Sequence, residues 1–286
     1  MTGAIHYPLI DAVAAAGYDY VEFPLMQTAA LSDAAFDTLE AYLADVKLAA
    51  DCTCNMFPAS LRITEPTLDK RAVGDYLELA FGRLARLGTR TIVLGSTGAR
   101  NLPAGTEAAV GYDRMMRLLT EQVIPLLDKY DMRVAIEPIN GNESNFIRTL
   151  PEGMELVERA AHPRIRLLAD LMHMLYEQES PEALAEYASS LEHIHVSERD
   201  RALPHSACSG ELAALLERLR ALGYDGTISF ECGPSTAAET ADALRLLRRT
   251  MEASTGHQKR ISSESLLPQG FPYTPRPMAH DIVFSA

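Results

Sequence analysis

Short apolar runs that end in a polar side chain recur along the chain, and they predict buried strands of a parallel sheet. Residues 133–136 are largely apolar, Glu137 follows them, and Pro138 then has no N–H to donate to a neighbouring strand. Three later runs carry a polar residue at the same place, namely Asp170 after RIRLLA, His195 in LEHIHV and Glu231 after GTISF. One charged residue after a strand is ordinary, but four metal-binding residue types in equivalent positions indicate a shared site.

Segments whose apolar positions recur at helical spacing alternate with these runs. Ser32 can cap the start of one such helix, and Gly17 can end another. The predicted helices span residues 8–16, 33–46, 69–87, 107–130, 151–161, 181–189, 210–222 and 235–251. The predicted strands span residues 19–24, 51–57, 90–96, 133–137, 164–170, 191–196 and 226–231. We expect Pro125 to bend or divide the longest helix, and we expect a loop over residues 96–101.

The alternation of strand and helix predicts an α/β fold, a parallel sheet closed into a (β/α)8 TIM barrel. Only seven strands precede residue 232, so an eighth is needed. Residues 281–286 have strand character, and a circular permutation would make this segment the first barrel strand. The alternatives are a disordered tail or a strand donated to a neighbouring protomer. The domain division is then a catalytic barrel over 1–255, a proline-rich linker over 256–277, and a strand over 278–286 that completes the barrel.

Composition narrows the function without defining it. The 286 residues are 47% hydrophobic and 23% charged, which fits a single barrel domain. The formal net charge of −13 argues against a nucleic-acid-binding face. No apolar run reaches the roughly 18 residues that span a bilayer, and the first residues lack the pattern of a signal peptide. The four cysteines form no C-x-x-C pair, which argues against a structural zinc site, and a reducing, cytoplasmic location is the default expectation.

The carboxyl ends of barrel strands meet at one mouth, so Glu137, Asp170, His195 and Glu231 are expected to surround a single cavity. Three carboxylates and one imidazole form a hard, oxygen-rich set of ligands that suits one Mn²⁺ or Mg²⁺ ion. Without a cation, carboxylates this close would repel one another and raise one another's pKa values. The sequence therefore predicts a divalent metal site at the mouth of the barrel.

Five motifs resemble those of the xylose-isomerase-like TIM barrel superfamily, in the sugar phosphate isomerase/epimerase group that includes ketose 3-epimerases. They are GYDYVEFPL at 17–25, EPINGNE at 137–143, DLMHM at 170–174, HVSERDR at 195–201 and YDGTISFE at 224–231. The resemblance implies a divalent-metal-dependent isomerase or epimerase of a keto-sugar or related polyol, acting through a metal-stabilised enediolate. It implies that Glu137 and Glu231 are both metal ligands and the acid/base pair, that Asp170 and His195 complete the metal site, and that Glu143, His173 and Arg201 bind substrate.

Several functions remain open at this level. A lyase or dehydratase on the same scaffold, resembling inosose dehydratases or C-glycoside-cleaving enzymes, would use the same proton abstraction and then expel a substituent. Gly233 and Gly141 stand where relatives carry an aromatic residue and an arginine, which leaves the substrate undefined. A DNA-repair endonuclease and a sugar-binding scaffold without activity fit the sequence less well. We expect a small carbohydrate substrate, no nucleic acid or membrane partner, and a homo-oligomer.

Overall fold

The seven predicted strands form one parallel sheet in sequential order. The computed structural model describes residues 5–233 and 235–253. The strands are β1 (Phe23–Pro24), β2 (Cys52–Cys54), β3 (Thr91–Leu94), β4 (Arg133–Ile136), β5 (Ile165–Asp170), β6 (Leu191–Val196) and β7 (Thr227–Phe230). Each pairs in parallel with the next, from β1 to β7. The Tyr20 hydroxyl donates to the Ile228 carbonyl at 2.9 Å, and this bond joins the first strand segment to the last.

Helices follow the strands and cover the outside of the sheet. They are α1 (Tyr7–Ala16), α2 (Leu25–Ala30), α3 (Asp33–Val46), α4 (Lys70–Leu87), α5 (Thr97–Arg100), α6 (Ala108–Leu118), α7 (Ile124–Tyr130), α8 (Leu150–Ala160), α9 (Leu171–Tyr176), α10 (Leu184–Tyr187), α11 (Gly210–Ala221) and α12 (Ala237–Ala253). Ser32 caps α3 by accepting from the Ala35 N–H, and Gly17 ends α1 with φ of 84°. Among the described residues, no helix is both long and apolar enough to cross a lipid bilayer.

The local differences from prediction have simple causes. The long helix is divided, as expected, because a π-helical turn over Leu119–Val123 precedes Pro125, which lacks the N–H that a regular α-helix needs. The expected loop at 96–101 is wrong in part, since Thr97–Arg100 forms a helical turn. That turn places the long side chain of Arg100 inside the protein, where it is fully buried.

Side chains alternate between the two faces of the sheet. Outward-facing residues such as Ile92, Leu94 and Ile194 join the large apolar core under the helices. The inner face holds a small separate apolar cluster of Cys54, Val93, Ala135 and Leu168 on strands β2 to β5. On β6 and β7 the inner face is polar instead, with buried His193, His195 and Ser229. The interior of the barrel is therefore asymmetric, and its polar half lies against the site.

Residues 254–286 lie outside the described residues. They include the predicted eighth strand at 281–286, the linker at 256–277 and both predicted domain boundaries. The circular permutation therefore stays a prediction. The cytoplasmic location and the homo-oligomer also stay predictions. None of the four cysteines, all of them among the described residues, forms a disulfide.

Candidate metal centre

The four predicted metal ligands come together at the carboxyl end of the sheet. Glu137 follows β4, Asp170 is the last residue of β5, His195 lies one residue before the end of β6, and Glu231 follows β7. Asp170 and His195 are direct partners in the β5–β6 register. The His195 Nδ1 atom lies 3.4 Å from Glu137 Oε1, 3.8 Å from Asp170 Oδ2 and 3.4 Å from Glu231 Oε2.

His195 presents an unused nitrogen to the three carboxylates. Its side chain is fully buried, and among the described residues no group makes an aligned hydrogen bond to Nδ1. Glu231 Oε2 is buried and lacks an aligned hydrogen bond in the same way, although it lies within ion-pair distance of Arg201. A buried polar atom without a partner is uncommon in folded proteins and calls for an explanation. A cation that accepts both atoms as ligands provides one.

His173 lies beside this group but differs from His195 in its contacts. One ligand atom each of Glu137, Asp170, His173 and Glu231 lies within 4.8 Å of the others, so His173 is also close enough to bind an ion. Both of its ring nitrogens already have neighbours, because Nδ1 lies 2.7 Å from Asn140 Nδ2 and Nε2 lies 3.1 Å from Arg201 Nη2. His195 is the better ligand, since its Nδ1 is unpaired and faces all three carboxylates.

Arg201 provides positive charge at the same place. Its Nη1 lies 2.7 Å from Asp170 Oδ2 and 2.8 Å from Glu231 Oε2. Burial alone would raise the pKa of Asp170, but Arg201, followed by His173 and His195, outweighs burial and holds that pKa well below its usual range. Arg201 also has a left-handed backbone with φ of 60°, which is uncommon for a residue with a side chain. This conformation aims the guanidinium at the site instead of at solvent.

The pKa values of the two glutamates are shifted in opposite directions. For Glu137, burial would raise the pKa, but the neighbouring His195, and then His173, lower it below the ordinary value. For Glu231, burial raises the pKa above the ordinary value, and His195 and Arg201 offset this only in part. Two carboxyl groups with separated pKa values are typical of sites that use one carboxylate and one carboxylic acid.

Arg100 and Gly95 determine the position of Glu137. Arg100 binds its main chain, and Gly95 leaves the space that its carboxylate occupies. The buried Arg100 guanidinium donates to the main-chain carbonyls of Glu137 at 2.7 Å and Leu94 at 3.1 Å, which fixes the end of β4. Burial lowers the pKa of Arg100 to about 10, so it stays charged at neutral pH. A Cβ on Gly95 would overlap Glu137 Oε2 and would lie 3.2 Å from Glu137 Cδ. No sequence pattern indicated either role, because Gly95 lies in a predicted strand and Arg100 lies in a predicted loop that is rich in small residues.

Gly95→Ala is therefore expected to displace the Glu137 carboxylate and lower kcat by roughly 100-fold, the effect of a catalytic group misplaced by about 1 Å. Steady-state kinetics with saturating Mn²⁺ would measure it. The matched control is Gly74→Ala in α4, where the nearest atom to an added Cβ is 3.7 Å away. Equal activity of the two variants would show that the close approach of Gly95 to Glu137 is not needed.

Of the remaining predicted residues, Glu143 is the furthest from the site. Its side chain is exposed, and it reaches His173 only through Asn140, whose Nδ2 lies 3.1 Å from Glu143 Oε1. Glu22 lies in the predicted strand 19–24 and within the motif GYDYVEFPL, but no role was predicted for it. The Glu22 carboxylate is buried between His193 and His195. Its Oε2 lies 3.2 Å from His193 Nε2, and its Oε1 lies 3.2 Å from His195 Nε2.

The residues present fit a hard divalent cation. Carboxylates suit Mg²⁺ and Mn²⁺, and a neutral imidazole is a common additional ligand. The three carboxylates and the unpaired His195 Nδ1 supply up to four ligands from four strands, and the far nitrogen of His195 contacts a carboxylate, as metal-binding histidines commonly do.

The sequence of residues 10–250 matches the family model described as xylose isomerase-like TIM barrel. The chain belongs to this family, and the fold is the TIM barrel that the pattern of strands and helices predicted.

The related proteins are sugar epimerases. The chain is 25% identical over 235 residues to a ketose 3-epimerase of Arthrobacter globiformis, covering 81% of this chain and 78% of that protein. It is 27% identical over 151 residues to a probable ketose 3-epimerase of Synechocystis sp., covering 46% of this chain and about half, 52%, of that protein. The solved structure of an L-ribulose 3-epimerase superposes with a TM-score of 0.73 at 20% identity, covering 86% of this chain and 89% of that one. The structural likeness supports the fold, and the curated relatives place the chain beside ketose 3-epimerases.

Proposed function

We propose that this protein is a divalent-metal-dependent epimerase that inverts the carbon next to the carbonyl of a ketose or related keto-polyol. The observation that carries the proposal is the pair of glutamates after β4 and β7, Glu137 and Glu231, each 3.4 Å from the unpaired Nδ1 of His195. Similarity to the ketose 3-epimerase of Arthrobacter globiformis supports the choice of reaction and of substrate class.

Glu137, Asp170, His195 and Glu231 would hold one Mn²⁺ or Mg²⁺ ion. When bound, such a cation acts as a Lewis acid toward a carbonyl oxygen and the neighbouring hydroxyl oxygen, and it stabilises the negative charge of an enediolate. His173 Nε2 lies 3.9 Å from Glu137 Oε1 and Arg201 Nη1 lies 2.8 Å from Glu231 Oε2, and we assign these two side chains the binding of substrate hydroxyl oxygens. Glu143 supports this pair through Asn140.

The acid–base step uses the two glutamates in turn. One carboxylate removes the proton from the carbon next to the carbonyl, the electron pair of the broken C–H bond forms a C=C bond, and the π pair of the C=O bond moves to the oxygen. The other glutamate, in its carboxylic acid form, returns a proton to the same carbon from the opposite face. The configuration of that carbon is inverted, the carbonyl is restored, and the two glutamates have exchanged protonation states.

This reaction is tested by incubating the full chain and Mn²⁺ with ketopentoses and ketohexoses in D₂O and following the products by NMR. We expect the epimeric ketose with deuterium at the inverted carbon, and no product with the metal-free protein. Accumulation of an aldose would instead indicate an aldose–ketose isomerase. Loss of water, or of another substituent, would indicate the lyase alternative.

A further inference from the structure

Among the described residues, Glu22 is the most deeply buried carboxylate that the proposed reaction does not use. Its side chain is fully buried, and each of its oxygens faces a different histidine. Oε1 lies 3.2 Å from His195 Nε2, and Oε2 lies 3.2 Å from His193 Nε2. A carboxylate in the middle of a barrel is costly unless every oxygen is paired, so this arrangement calls for a specific reason.

The surrounding residues hold Glu22 in one orientation. The Ser229 hydroxyl donates to Oε2, and Tyr20 fixes that end of the pocket by donating to the carbonyl of Ile228. On the far side of His193, Thr227 Oγ1 lies 2.6 Å from Nδ1. Each oxygen of Glu22 therefore faces a hydroxyl donor or a ring nitrogen. His195, the histidine at the metal centre, cannot turn without breaking its contact with Glu22.

We infer that Glu22 is a positioning residue that fixes the tautomer and orientation of His195. An ionised carboxylate can only accept hydrogen bonds, so the His195 nitrogen that faces it must carry the hydrogen. In a neutral imidazole the other nitrogen then has its lone pair free. That nitrogen is Nδ1, which faces Glu137, Asp170 and Glu231. The inference rests on the metal centre of the proposed function, and it adds the residue that directly precedes β1 to a site built by β4 to β7.

His193 supports this role and does not compete with it. Its Nε2 faces the second oxygen of Glu22, and its ring lies edge-on to that of His195, with 4.9 Å between the ring centroids. Glu22, His193 and His195 are close enough to hold an ion of their own. Hydrogen bonds already use the facing atoms of all three, so the inference requires one ion per chain.

The first test measures divalent-cation binding and not turnover. Chelator-treated full chain is titrated with Mn²⁺ by calorimetry, and the number of ions and the dissociation constant are compared with those of Glu22→Gln. We expect one ion per chain, bound about 10- to 100-fold more weakly by the variant, which is the usual effect of losing the partner of a ligating histidine. Thr89→Val is the control, because it removes a buried hydroxyl that donates to the Ala50 carbonyl and does not bond to Glu22, His193 or His195, and its affinity should match the wild type.

The second test reads the tautomer directly. In Mg²⁺-loaded protein labelled with ¹⁵N-histidine, we expect His195 to show a protected Nε2–H resonance that shifts or broadens in Glu22→Gln and persists in Thr89→Val. Ser229→Ala is a milder variant in case Glu22→Gln does not fold, and we expect a several-fold loss of Mn²⁺ affinity from the lost hydrogen bond to Glu22.

The outcomes separate this inference from the proposed function. Unchanged Mn²⁺ affinity and an unchanged His195 resonance in Glu22→Gln would overturn the positioning role, whether or not the protein is an epimerase. Two ions per chain in the wild type, falling to one in Glu22→Gln, would overturn it too, because Glu22 would then be a ligand. Normal binding of one ion, weakened in Glu22→Gln, with no epimerisation would leave the inference standing and refute the proposed reaction.

Discussion

Glu137→Gln is expected to lower kcat for epimerisation by about 10²- to 10⁴-fold, the usual contribution of a general acid–base group. Glutamine keeps the size of the side chain and one oxygen that can face a cation, but it cannot accept a proton. Because Arg100 binds the Glu137 main chain and Gly95 leaves space for the side chain, the amide should occupy the place of the carboxylate. We expect a similar loss for Glu231→Gln, measured for both variants at saturating Mn²⁺.

Deuterium exchange makes this prediction specific for two bases. If each glutamate serves one face, each variant should lose exchange from one epimer while the remaining glutamate still exchanges the proton of the other epimer without inverting it. Glu192→Gln is the matched control, because Glu192 pairs with Arg133 and Arg166 and lies outside the site. Near-normal kcat in Glu137→Gln or Glu231→Gln would contradict the two-base mechanism. It would also be contradicted if only one of the two variants lost exchange, and lost it from both epimers.

The strand ends could be predicted from the sequence because they depend on local pattern. Each apolar run ends in a polar residue, and parallel strands carry their carboxyl ends to the same edge. The structure confirms that Glu137, Asp170 and Glu231 meet around His195. His173 could be placed near them for the same reason, since it follows β5 by three residues, whereas Arg201 was placed there only by the resemblance of HVSERDR to the family motif.

The supporting residues could not be predicted in this way. The contacts of Glu22 with His193 and His195 join positions 171 and 173 residues apart, and they exist only because the fold brings the segment before β1 against β6 and β7. Gly95 matters through the absence of a side chain, which no hydrophobic pattern records. Arg100 lies in a polar segment that resembles a surface loop, yet its guanidinium is buried against main-chain carbonyls.

Removing the divalent cation is the prediction that most directly tests the centre itself. Treatment of the full chain with a chelator is expected to lower epimerase activity by roughly a thousandfold, because the Lewis acid contributes several kcal/mol to stabilising negative charge on the substrate. Activity should return when Mn²⁺ or Mg²⁺ is added back, and comparing the two ions at equal occupancy identifies the better one. Full activity of a chelated protein shown by elemental analysis to be metal-free would refute a metal-dependent reaction.

The same removal should also change stability, and this readout does not depend on knowing the substrate. A cation present at 1,000 times its dissociation constant, and bound only by the folded state, stabilises that state by about 4 kcal/mol. The cation also relieves repulsion among the three carboxylates. Arg201 offsets part of this repulsion through its ion pairs with Asp170 and Glu231. We therefore expect Tm to rise by several degrees when Mn²⁺ is added to the chelated wild type, and to rise much less in Asp170→Asn, which removes one negative charge from the set. An equal rise in both proteins would place the stabilising ion elsewhere in the chain.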